Sequence, residues 1–128
     1  MHDIDRAIVG SMESYGARPF ETRYIAEIWQ LRHGLEAIED VPDTAVLVVP
    51  VGGGGLVAGI ALAAEGRRVV AVEPELSDAL HRGLEAGESV PVKPSSMADG
   101  LSAPFAGEHA VRVCNERDVE SVLVTEDE

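Results

Sequence analysis

Apolar residues recur at helical spacing through the first third of the chain. Ile4, Ile8, Met12 and Tyr15 lie three or four residues apart and predict a short helix that Gly16 stops. A connection through Arg18, Pro19 and Phe20 follows. Tyr24, Ile25, Ile28, Leu31, Leu35 and Ile38 then mark one face of a longer helix, with Thr22 as its expected cap and the stretch EDVPD (39–43) as its end. Gly34 stands inside that helix and counts against it, because glycine is a poor helix former. The pattern then changes. Residues 45–50 form a continuous, β-branched run, which predicts a strand buried on both faces. Residues 55–65 predict a helix closed by Gly66, and 69–72 a second buried strand. Strand, helix and strand in this order make a parallel, right-handed β-α-β unit.

Beyond it, Ser77 is the expected cap of a helix that runs to Ala86 and is ended by Gly87. Residues 90–92 predict a short edge strand, broken by Pro91 and Pro94. The stretch SSMADGLSAPFAGEHA (95–110) reads as loop. Val111 and Val113 alternate with polar residues, and 122–125 predict a last strand. No internal repeat or low-complexity linker interrupts the chain. The organisation expected is one α/β domain, three layers αβα with a mostly parallel sheet. Residues 1–44 form a helical lead-in, 45–73 the β-α-β unit, and 74–128 the remaining helix, loop and strand. The chain closes on Glu126, Asp127 and Glu128, acidic residues of the kind that open a helix, and the expectation is a piece of a larger fold.

Composition narrows the picture. The chain has 128 residues, enough for one domain with a core, and 45% of them are apolar but only 4% aromatic. The core must therefore be aliphatic. A formal net charge of −13 argues against nucleic acid and anionic membranes as partners. One cysteine, Cys114, leaves no internal disulfide and no zinc spacing, which fits a reducing, cytoplasmic setting and a buried, inert thiol. The amino terminus lacks the pattern of a signal peptide, and no apolar run reaches the ~18 residues of a membrane helix. His2, His33, His81 and His109 share no metal spacing, and Trp29 is expected to pack on its helix.

The candidate chemistry lies in Gly52, Gly53, Gly54 and Gly55. A glycine loop between a strand and a helix aims backbone N–H groups at one point and makes an anion cradle, whose usual guest is phosphate. No Lys-Ser or Lys-Thr follows the glycines, which excludes a P-loop. A dinucleotide fingerprint stays open: Gly53-x-Gly55-x-x-Ala58 fits its permissive form. Glu73, twenty residues beyond Gly53, would then hold a ribose hydroxyl.

Four blocks, VVPVGGGGLVAGIALA, VVAVEPE, MADGL and VLVTEDE, resemble in order and spacing the serine/threonine dehydratase branch of the pyridoxal-phosphate (PLP) enzymes. That branch has the tryptophan-synthase β fold, or fold type II. The resemblance is strong over 45–128 and implies part of that family's large domain. It implies that Gly52, Gly53, Gly54, Gly55 and Leu56 bind the PLP phosphate through their amides, and that Gly100 lies beside the cofactor ring. In the metal-dependent members it makes Glu73 and the Ser77 carbonyl cation ligands. The further acidic ligand falls where this chain has Ala79, with Asp78 one place off, so a divalent cation is poorly provided for. The family's Schiff-base lysine, carried in an SxK block, has no match; Lys93 is the only lysine and stands elsewhere. The family's Asn block and its Ser opposite the pyridine nitrogen are missing as well, and ETRYIAEIWQ stands where a Gly-x-Gly-Thr turn is usual.

The implied function is a PLP-dependent conversion of a 2-amino acid to a 2-oxo acid and ammonia. This chain would supply the phosphate site and be inactive alone, and its partners would be a small amino acid together with a further copy or a complementing amino-terminal half. The alternatives are a non-catalytic, Rossmann-like nucleotide- or phosphate-binding module and half of a split enzyme.

Overall fold

The structure, a computed structural model, describes residues 25–127. The element order is α1 (Ile25–Asp40), β1 (Val46–Pro50), α2 (Gly55–Ala63), β2 (Arg68–Pro74), α3 (Ala79–Ala86), a 3-10 turn (Asp99–Leu101), α4 (Glu108–Glu116) and β3 (Glu120–Val124). The three strands lie parallel in the order β1-β2-β3. Leu47 pairs with Val69 and Val49 with Ala71, so these four side chains share one face. That face builds the core with Val57, Ala58 and Ala61 of α2, Leu80 of α3, and Val111, Val113 and Cys114 of α4. The expected helix at 4–15, with Thr22 and His2, lies outside the described residues, as does Glu128. No helix of the described residues is long and apolar enough to cross a membrane.

The β-α-β unit forms where the apolar pattern places it. The strand at 45–50 is not buried on both faces, however. Val49 is buried, whereas Val46 and Val48 are 40% and 66% exposed. Val46 and Val48 lie on the face opposite the helices, together with Val122 of β3, which is 44% exposed. Helix α2 ends at Ala63, short of Glu65, because Glu65 and Gly66 both take positive φ (51° and 83°). Arg67 then ties this turn to the approach of β1, donating from Nε to Thr44 O and from Nη2 to Pro42 O, each at 2.9 Å.

Three expectations are corrected. Residues 90–92 form no strand; Val92 N donates to Pro104 O at 2.8 Å, because Pro91 and Pro94 interrupt any ladder. Val111 and Val113 belong to helix α4, where Ala110, Val111, Val113 and Cys114 make the buried stripe; a two-residue alternation was too short to separate strand from helix. The residue before α3 is Asp78, with no side-chain cap bond, and Ser77 is instead buried with its Oγ 3.4 Å from Ser102 Oγ.

Gly34 explains itself in the packing. A Cβ at Gly34 would lie 2.9 Å from Ala63 Cβ and 2.9 Å from the Ile60 backbone. Its missing side chain lets α1 sit directly on α2, and that contact outweighs the helix propensity lost. Gly34→Ala is expected to lose about 1–3 kcal/mol in urea melts. An exposed control, Glu36→Ala, should stay within about 0.5 kcal/mol. Equal melts for Gly34→Ala and the parent would show that the helices have room to part.

Candidate functional site

The four glycines bridge β1 and α2 at the carboxyl edge of a parallel sheet, the edge at which open α/β sheets bind ligands. Gly52 and Gly54 lack side chains for different reasons. Gly54 opens α2 with φ 90° and ψ −5°, a left-handed conformation, and a Cβ there would lie 2.8 Å from Ala110 Cβ. A Cβ on Gly52 would lie 3.3 Å from Gly100 O. A Cβ on Gly53 would meet nothing within 4 Å; this residue faces open space. The loop is nevertheless fixed, since Gly53 O accepts the Gly107 amide at 3.0 Å, which joins it to the start of α4.

The amino end of α2 is bare. No side chain caps it and its first turn carries no acid. The first intrahelical bond runs from Ala58 N to Gly54 O at 3.0 Å, so the amides of Gly55, Leu56 and Val57 precede it and lack helical acceptors. With the helix dipole behind them they suit an anion. Leu56 is half-buried and packs on the core, so its amide, not its side chain, faces this role. Gly100, in the 3-10 turn, is brought against Gly52 across 48 residues of sequence. The cradle fits a phosphate group: close backbone approach, no acid in the first turn of α2 and an open face at Gly53.

Glu73 ends elsewhere. It is fully buried, and its carboxylate accepts the Leu80 amide at 2.8 Å and the His81 amide at 2.7 Å. It therefore caps α3 from a neighbouring strand, the task expected of Ser77. Burial pushes its carboxyl above the usual value of 4.5, against the two amide bonds that pull it down. This placement also removes the acid a dinucleotide fingerprint needs, because both oxygens are turned into α3. As a cation ligand Glu73 has little company. Ala79 stands at the position of a further acid, and the described residues contain no group of three or more His, Cys, Asp or Glu that can hold a metal.

The remaining candidates take structural places. His81 Nδ1 is 2.9 Å from Ser121 Oγ, and His109 Nδ1 is 3.3 Å from Arg112. Cys114 is buried, its thiol pushed up to about 12 chiefly by burial, with Glu73 adding to the shift. Lys93 is exposed in a groove of about 470 Å³ lined by Glu75, Leu76, Asp78 and Arg82, and none of the four glycines lines it. Sequence reading missed one participant. Glu126, expected to open a helix, accepts the Met97 amide at 2.9 Å and so holds the MADG turn against the exit of β3. The only signal for it was that both blocks belong to the resemblance; 29 residues separate them.

The family described as "Pyridoxal-phosphate dependent enzyme" matches residues 5–128. Phenylserine dehydratase of Ralstonia pickettii is 39% identical over 102 residues, covering 74% of this chain and 31% of the relative. L-threonine ammonia-lyase of Geobacter sulfurreducens is 36% identical over 100 residues, covering 74% of this chain and 25% of the relative. The structure of maize serine racemase superposes with a TM-score of 0.74 at 31% identity, over 91% of this chain and 38% of the racemase. The chain thus spans about a quarter to a third of the length of these curated relatives.

The capping role of Glu73 has a pH signature. Its folded value lies above its unfolded one, so the folded protein holds this proton more tightly. The stability it contributes is full in acid and is lost as pH rises from 4.5 through the raised value. Glu73→Gln keeps one acceptor of the pair and is expected to cost about 1–2 kcal/mol in urea melts at neutral pH. The variant's stability should also decline less than the parent's as pH rises above 4.5. Parallel pH profiles for the two would show that Glu73 does not titrate differently on folding.

Proposed function

The chain belongs to the pyridoxal-phosphate-dependent enzyme family, and from that premise we propose that it holds the cofactor's phosphate in a serine/threonine dehydratase-like ammonia-lyase. Such an enzyme converts a 2-amino acid to a 2-oxo acid and ammonia. The observation that carries the proposal is Gly54, which opens an uncapped α2 in a left-handed conformation at the carboxyl edge of the sheet. The relatives named phenylserine dehydratase and L-threonine ammonia-lyase support the reaction class.

When bound, PLP supplies the electron sink that makes bonds at an amino acid's Cα labile. The chain's own residues bind and orient. Amides of Gly52 to Leu56 meet the phosphate, the Gly54 conformation aims them, and Gly100 keeps the floor of the crevice free of side chains. The amine that attaches such a cofactor to its enzyme has no counterpart here, since Lys93 is the only lysine and lies in a different groove. In this reading the chain is inactive alone and works beside a complementing polypeptide that brings the lysine. The uncovered face of Val46, Val48 and Val122 favours such a partner, because parallel sheets are normally covered on both sides. In this reading a single cysteine with no disulfide partner in the chain favours a reducing, cytoplasmic setting.

Titrations with PLP, inorganic phosphate and NAD test the site. PLP and phosphate should compete and NAD should not bind; NAD binding without PLP would establish a nucleotide module instead. Gly53→Ala adds a methyl that meets no protein atom within 4 Å. It should leave the melt within about 0.5 kcal/mol and weaken both phosphate ligands roughly tenfold. Sustained release of 2-oxo acid from L-threonine or L-serine by the chain and PLP alone would overturn its incompleteness.

A further inference from the structure

The crevice beside the glycine loop is walled by backbone. A Cβ on Gly52 would lie 3.3 Å from Gly100 O and 3.5 Å from Leu101 Cα, so the turn Asp99–Leu101 rests directly on the loop. The width of the crevice therefore depends on what fixes that turn.

Ser102 closes it. The Ser102 hydroxyl donates to Ala98 O at 3.0 Å, and the Ser102 amide donates to Asp99 O at 3.2 Å. With its proton given to Ala98 O, Ser102 Oγ can still accept. Ser77 Oγ lies 3.4 Å away, so Ser77 is the donor of this pair. The bond is long for two hydroxyls. Ser77 is only 2% exposed, however, and a buried hydroxyl left without a partner is costly.

The two serines belong to different parts of the fold. Ser77 follows the exit of β2, where its amide donates to Pro74 O at 2.9 Å. Beyond it Ala79 and Leu80 are buried, and Glu73 holds the Leu80 amide at 2.8 Å. Ser102 thus ties the wall of the crevice to the frame made by β2 and α3, across 25 residues of sequence.

We propose that Ser102 is a positioning residue for the cofactor: its hydroxyl, held between Ser77 Oγ and Ala98 O, keeps the Gly100–Leu101 backbone against Gly52. The proposal rests on the phosphate-site reading above and adds what sets the space for the ring. Amides of α2 can hold a phosphate without the turn, whereas in that reading the ring lies beside Gly100. Ser102→Ala removes the tie and leaves the glycine loop untouched. Ser102→Thr keeps the hydroxyl, and the φ of −94° at Ser102 is open to a β-branched residue.

Calorimetric titration of the whole chain with pyridoxine 5'-phosphate, which has the ring but no aldehyde, and with inorganic phosphate reads the two functions separately. Ser102→Ala should weaken pyridoxine phosphate about fivefold and leave inorganic phosphate within about twofold. Ser102→Thr should bind both within about twofold of the parent. Ser77→Ala, which spares the bond to Ala98, should weaken pyridoxine phosphate by a smaller factor than Ser102→Ala. If Ser102→Ala binds pyridoxine phosphate as tightly as the parent, loses both ligands in equal proportion, or is no weaker than Ser102→Thr, the role of Ser102 is overturned and the phosphate site stands. If the parent binds neither ligand, the phosphate-site reading falls and this proposal with it.

Discussion

Everything at the carboxyl edge depends on backbone approaching backbone at Gly54. The positive φ turns the chain from β1 into α2 within a few residues, and the absent Cβ lets α4 close against the turn at Ala110. The same economy continues along α2, whose sequence GLVAGIALA is built of small residues. On one side α2 buries Val57, Ala58 and Ala61 in the core; toward α1 it meets Gly34 through Ile60 and Ala63. A helix clamped this way holds its amino end still. A still amino end is what an amide cradle requires, because preordered donors lose little entropy when an anion arrives.

This arrangement also resolves an electrostatic conflict. The chain carries a formal charge of −13 and yet is proposed to hold an anion. Its overall field opposes phosphate, so the attraction must be local, from amides and the dipole of α2 at contact distance. Two acids beside the edge are occupied with backbone donors. Glu73 is committed to the amides of Leu80 and His81, and Glu126 gives one oxygen to Met97. Each fixes one piece of the crevice's surroundings, α3 in the first case and the MADG turn in the second.

The glycine loop, the two strands flanking it and α2 were legible because strong local signals agreed: a β-branched run, four glycines, then small helix formers. The resemblance carried by those blocks and by MADGL was legible for the same reason. What local pattern did not carry was partnership. Glu73 has the same sequence neighbours whether it caps a helix, holds a ribose or binds a cation, and its burial against the amides of α3 decides among them. Val111 and Val113 showed two-residue alternation, but packing against α2 and α3 made them a helical stripe. Gly34 counted as a defect in its helix until α2 stood against it.

By itself, then, the order of residues determined the β-α-β unit, the glycine loop between its first strand and helix, and the single lysine far from that loop in sequence, since each is a property of a short stretch or of composition. Tertiary structure alone decided what each acid does, which face of the sheet is covered, and that the turn at Gly100 closes on Gly52. These are contacts between segments distant along the chain, and a contact of that kind leaves no periodicity in either segment for a sequence to display.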